Sequence, residues 1–150
     1  MLHVVTVTTL GQMLQALEVR RRVFIEEQQV PESLEIDEHD ADPAIVTTAL
    51  HVLVLHYDAP VATGRLLLPH DAGPAHIGRV AVMPEHRRGG YGRAVMQALH
   101  ALAREQGIHD ITLAAQLHAI GFYERLGYTV HGGVFLDAGI EHRWMDIRLR

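Results

Sequence analysis

Hydrophobic and polar positions along the chain change period several times, and each change marks an element. Residues 2–8 alternate around Val and Thr and predict a strand. Thr9 can cap a helix over Leu10–Phe24, with Leu14, Leu17 and Val23 as its inward face. Residues 26–42 then lose periodicity and predict a loop with a short helix. β-type runs at 48–58 and 61–69, parted by Ala59-Pro60, predict a hairpin. Residues 76–83 predict a strand stopped by Pro84. A helix follows from Gly90 to Gln106, with Val95, Leu99 and Leu102 on one face and Gly107 as its stop. A buried strand at 110–116, a short helix at 118–127 and two closing strands at 128–132 and 141–149 complete the chain.

The resulting order is β-α-(α)-β-β-β-α-β-α-β-β. Strands and helices mix without strict alternation, which predicts an α/β (α+β) fold with a mixed sheet and helices on both faces. No repeat, low-complexity tract or linker divides the 150 residues, so one domain over 1–150 is expected.

Composition narrows the chemistry. Hydrophobic residues are 48% and charged residues 21%, as in an ordered globule, and the formal charge of -5 argues against a nucleic-acid binder. Cysteine is absent, and every one of the 13 basic side chains counted as Lys or Arg is an arginine. Disulfides, thiolate nucleophiles, cysteine zinc sites and lysine Schiff bases are therefore excluded. The N-terminal stretch lacks the basic region of a signal peptide, and no run approaches the ~18 apolar residues of a membrane span. A cytoplasmic protein without membrane contact is expected. The histidines show no metal-binding spacing, and no metal is expected.

One stretch asks for a ligand. In His86–Gly107, two arginines run into Gly-Gly-Tyr-Gly at the mouth of a helix. N–H groups at a helix start lie unpaired at the positive end of the dipole, and glycines let a ligand approach the backbone. Arg87, Arg88, Gly89, Gly90, Tyr91, Gly92 and Arg93 thus compose a candidate phosphate cradle, with the arginines supplying charge. A P-loop requires a lysine that the chain lacks. A dinucleotide fingerprint would require glycine at Val95. Arg87-x-x-Gly90-x-Gly92 remains, and a plain strand-to-helix connection fits that pattern as well.

Further motifs carry a resemblance. R-x-x-G-x-G after a strand resembles motif A of the GNAT acetyltransferase superfamily, which cradles the pyrophosphate of acetyl-CoA. QLHAIGFYERLGY resembles that superfamily's N-x-x-A-x-x-x-Y-x-x-x-G-F, with Ala119, Tyr123, Gly127 and Tyr128 in register and Gln116 where asparagine is usual. RRRVFIEEQQVPESLEIDEHD, IGRVAV and FLDAGIEHRWM are similar to a small bacterial subgroup of the ElaA type, with Glu141 in place of a common proline.

The resemblance implies an N-acetyltransferase with acetyl-CoA as co-substrate, a GNAT-like sheet and strands 76–83 and 110–116 splayed apart. It implies that the backbone of Val80, Ala81 and Val82 pairs with the pantetheine arm, that Gln116 and Phe122 flank the cofactor, and that Tyr123 protonates the leaving thiolate. It sets the early acidic segment on the acceptor side, with Glu26, Glu35 and Asp37 as substrate-binding candidates.

Acyl transfer to an amine also needs the amine neutral. Glu26, Glu27, Glu35, Asp37 and His142 can each take its proton, with Glu27 and His142 as the catalytic candidates beside Tyr123. Eight acids within residues 26–42, with no arginine among them, predict a negative field that draws a small cationic amine. A solvated surface loop is the plainer alternative for the same acids. Rival functions are transfer of another acyl group, an oxygen acceptor, or a non-catalytic acyl-CoA sensor. The expected partner is a small-molecule amine, and the protein is expected as a monomer or homodimer.

Overall fold

The computed structural model describes residues 2–150. Its elements run β1 (Leu2–Thr6), α1 (Leu10–Arg20), α2 (Glu32–Glu35), β2 (Ala49–His56), β3 (Ala59–Leu67), β4 (Ala75–Val82), α3 (Tyr91–Glu105), β5 (Asp110–Gln116), α4 (Ile120–Arg125), β6 (Thr129–Asp137) and β7 (Ile140–Arg148). This is the order expected from the sequence. The strands form one seven-stranded sheet, β1-β2-β3-β4-β5-β7-β6, in which only β4 and β5 are parallel neighbours.

Alternation along β2 places a helix layer on each face. Val52 and Val54 pack with Val95, Met96 and Leu99 of α3, whereas Leu53 between them packs with Met13 and Ala16 of α1. Thr9 caps α1 as expected, through a capping box with Gln12.

The inward face of α1 differs from the expectation. Val23 is buried and Leu17 packs on the core as expected, but Leu14 is 58% exposed, and Met13, Ala16, Val19 and Arg20 are buried. An arginine on the inner face breaks the apolar pattern that periodicity detects. The helix also continues beyond Phe24 as a π-helical segment, Arg21–Glu27. The closing hairpin is longer than expected. The strand was expected to end at Gly132, yet Gly132 and Gly133 fall within a register irregularity between His131 and Phe135, and β6 resumes beyond it.

β4 and β5 open the sheet. They pair only at Ala75 with Ile111, His76 with Thr112, and Ile77 with Leu113. Beyond Ile77 the β4 register on β3 shifts, and Arg79 takes a positive φ of 52°. Meanwhile β5 follows β7 as far as Gln116. The strands therefore diverge, leaving one edge of β4 from Gly78 to Val82 without a sheet partner. This is the splay that the resemblance implied.

Candidate functional site

A cleft of about 1320 Å³ follows this gap, from the Arg87–Arg93 loop to the β6–β7 turn. At the loop end, a short turn at Pro84–His86 leads through Arg87–Gly90 into α3. Gly90 caps the helix at φ 83°, a left-handed conformation that glycine adopts without steric cost. Gly92 sits in the first turn, where a Cβ would stand 3.3 Å from Phe122 Cζ. The first N–H groups of α3 thus face the cleft with no side chain in front of them.

Among the described residues, Arg88 and Arg93 make no side-chain hydrogen bond or ion pair, so their donors are uncommitted. Arg87 is committed. Its fork holds Glu27 through bonds of 2.7 and 2.6 Å, and its Nε donates to the Val82 carbonyl. That bidentate bond, with the charge of Arg87, holds the Glu27 carboxyl below the usual carboxylate range against the cost of burial. Glu27 is accordingly a weak proton acceptor.

Val80, Ala81 and Val82 line the middle of the cleft beside Phe122 and Tyr123. Tyr123 is 9% exposed, and burial pushes its phenol up to about 12. It therefore stays a proton donor across ordinary pH. Behind it, the Tyr128 hydroxyl lies 2.7 Å from His100 Nε2, and burial aided by Arg104 drives His100 down to about 4. That histidine is neutral within the core at ordinary pH.

The acidic segment departs from the expected negative field. Arg20, 1% exposed, binds Glu35 at 2.8 Å and Asp40 at 2.7 and 2.9 Å. Arg65 of β3 takes both oxygens of Asp37 and reaches Asp40 at 3.0 Å, and Arg79 lies 3.3 Å from Glu35. Burial opposes ionisation of Asp40, but bonds from Arg20, the Asp37 backbone and the charge of Arg65 outweigh it and hold the acid well below its usual range. Glu26 pairs with Arg21. Glu26, Glu35 and Asp37 therefore do not present the expected unpaired negative field. No arginine lies within 26–42, but arginines from α1, β3 and β4 arrive in space.

Asp37, Glu38 and His39 bring ligand-type atoms within 4.8 Å of one another. Arg65 holds both Asp37 oxygens and Thr48 meets His39 Nδ1 at 2.7 Å, so these groups are already engaged.

At the far end, Gln116 exchanges amide hydrogen bonds of 2.8 and 3.2 Å with Gln28, spanning the cleft between β5 and the end of the π-helical segment. His142 is buried and lines the cleft, and its Nδ1 lies 2.7 Å from the Ile140 carbonyl. A carbonyl only accepts, so Nδ1 carries a hydrogen, which leaves Nε2 as the ring's one site for a lone pair. His142, Phe135 and Trp144 stack on one face of the hairpin.

The sequence profile of the acetyltransferase (GNAT) family matches residues 13–128. The chain belongs to the GNAT acetyltransferase family. It is 34% identical over 142 residues to the uncharacterised YyaT of Bacillus subtilis, covering 94% of this chain and 92% of that one. It is 36% identical over 135 residues to YjcF, an uncharacterised N-acetyltransferase of the same organism, covering 89% and 91%. The crystal structure of Escherichia coli ElaA superposes with a TM-score of 0.85 at 27% identity, covering 99% of this chain and all of that one.

In this GNAT domain, several side chains left without a role by the sequence reading line or brace the cleft. Arg20, Arg65, Arg79 and Trp144 come from α1, β3, β4 and β7, and Gln28 from the end of the π-helical segment; all but Arg65 lie within the stretches that carry the resemblance. Arg20 was further marked by its place among the apolar positions of α1. Among the described residues, no helix is long and apolar enough to cross a membrane.

Proposed function

We propose that this GNAT domain is an N-acetyltransferase that moves an acetyl group from acetyl-CoA to the amine of a small molecule, directly and within a ternary complex. The observation that carries this reading is the gap between β4 and β5, with the glycine-arginine loop at one end and Tyr123 in its wall. Gly90, Gly92, Arg88 and Arg93 fit a pyrophosphate. The unpartnered edge of β4 fits the amides of a pantetheine arm, as a strand edge accepts an extended chain.

In the reaction the amine nitrogen attacks the thioester carbonyl and a tetrahedral oxyanion forms. The C–S bond then breaks, and the thiolate takes the Tyr123 proton. His142 Nε2 is better suited than Glu27 to take the proton that the nitrogen sheds, because Glu27 is held by Arg87. A sensor that binds acyl-CoA without turnover would need neither a buried phenol nor a free imidazole nitrogen.

The test is thiol release from acetyl-CoA against a panel of amines, with Tyr123→Phe as control. That variant should lose roughly 10²–10⁴-fold in kcat while its acetyl-CoA affinity holds. No release with any amine, or full activity in the variant, overturns the reading.

A further inference from the structure

The acceptor end of the cleft carries a chemistry that the acidic segment concealed. Of the acids in 26–42 only Glu27 and Glu35 line the cleft, and arginines hold both, Arg87 on Glu27 and Arg20 with Arg79 on Glu35, while Arg20 and Arg65 hold Asp37 and Asp40 behind them. Apolar and aromatic side chains face the opening instead. Trp144 is 37% exposed and Leu34 57% exposed, and both line the cleft with Phe24 and Ile140.

Three rings build one wall. Phe135 stacks on Trp144 at 5.0 Å between centroids and 25° between planes, and on His142 at 5.9 Å and 26°. His76 of β4 meets Trp144 edge-on at 6.4 Å, so the wall reaches across to the other strand of the gap. The hairpin register explains this order. His142 and Trp144 are two apart on β7, and Phe135 of β6 pairs with His142. A tryptophan of this exposure, held flat by a ring behind it, is a preformed stacking surface that costs little entropy to use.

We propose that Trp144 is a specificity-determining residue, and that the acceptor is an amine carried on a flat aromatic body, an arylalkylamine. Its ring lies against Trp144 and its nitrogen reaches toward His142 Nε2 and the acyl carbon beside Tyr123. This inference rests on the acetyltransferase reading for the fate of the nitrogen, but the ring contact stands on geometry alone.

Trp144 is the single tryptophan of the chain, so its fluorescence reports the site directly. Three readings on the whole chain test the proposal. With 2-phenylethylamine, n-butylamine and spermidine as acceptors, kcat/KM should favour the phenyl compound by roughly ten-fold or more, the scale of a good ring contact. Trp144→Ala should abolish that preference and leave acetyl-CoA affinity unchanged, whereas Trp144→Phe should keep most of it. With coenzyme A present, 2-phenylethylamine should quench Trp144 at concentrations where n-butylamine does not. Preference for spermidine overturns the proposal, and so does an unaltered ratio in Trp144→Ala. If no amine is acetylated, the acetyltransferase reading fails, and the quenching experiment alone decides: selective quenching supports the aromatic site and equal or absent quenching overturns it.

Discussion

At one end of the cleft, seven consecutive residues, Arg87 to Arg93, make up the candidate anion cradle, which rests on backbone geometry and the uncommitted charges of Arg88 and Arg93. At the other, Arg20, Glu35, Asp40, Arg65 and Arg79 converge from α1, α2 and the turn behind it, β3 and β4. The first end works through N–H groups whose direction is fixed by a helix start. The second works through side chains that hold each other in place and have no function singly. Chemistry built on backbone is local and tolerant of its surroundings. Chemistry built on buried charge depends on every partner being present.

Breaking each end should therefore have different consequences. The largest effect is expected at the charged end. Arg20→Met leaves Glu35 and Asp40 buried without their main counter-charge, which should cost about 3–5 kcal/mol in urea unfolding. A loss below about 1 kcal/mol would mean that the arrangement relaxes freely and that the contrast between the ends is false. Smaller in free energy, and confined to the ligand, is the effect at the cradle. Gly92→Val places methyl groups against Phe122 and in front of the α3 N–H groups. Acetyl-CoA affinity by calorimetry should fall about a hundred-fold while the unfolding midpoint stays near wild type. Unchanged affinity in the folded variant would remove the cradle from cofactor binding.

The smallest effect tests the one ion pair that joins the π-helical segment to the loop. Glu27 and Arg87 are each about 40% exposed, so their pair is screened and worth little. Glu27→Gln frees the Arg87 fork for phosphate. It should raise acetyl-CoA affinity by about two- to five-fold and leave kcat within about two-fold. A large fall in kcat would restore Glu27 as the base in place of His142.

The contrast between the ends also explains what could be read before the fold was known. Element order, the β2–β3 hairpin, the helix ending at Gly107 and the single sheet follow from periods of two and of about 3.6, but the hairpin turn is Tyr57-Asp58, both at positive φ, and Ala59-Pro60, expected as the turn, opens β3. The R-x-x-G-x-G loop was legible for the same reason, since a helix start and its glycines lie in one short segment. Tyr123 and Gln116 were reached through a motif of similar locality. Leu14 was misplaced because Arg20 occupies an apolar face, and periodicity has no means of anticipating that Glu35 and Asp40 will neutralise it there.

The sequence by itself determined the kinds of element, their order, the glycine-arginine loop at the mouth of α3, and the exclusion of thiol and lysine chemistry. Tertiary structure decided how far β4 and β5 diverge and which acids remain charged toward solvent. It also decided which candidate base keeps a free lone pair, and that Trp144 and His142 would share a wall with Phe135. The division follows from range. Backbone dihedrals and dipoles act between neighbours in the chain, whereas pairing of charges and stacking of rings depends on positions that only the closed sheet brings together.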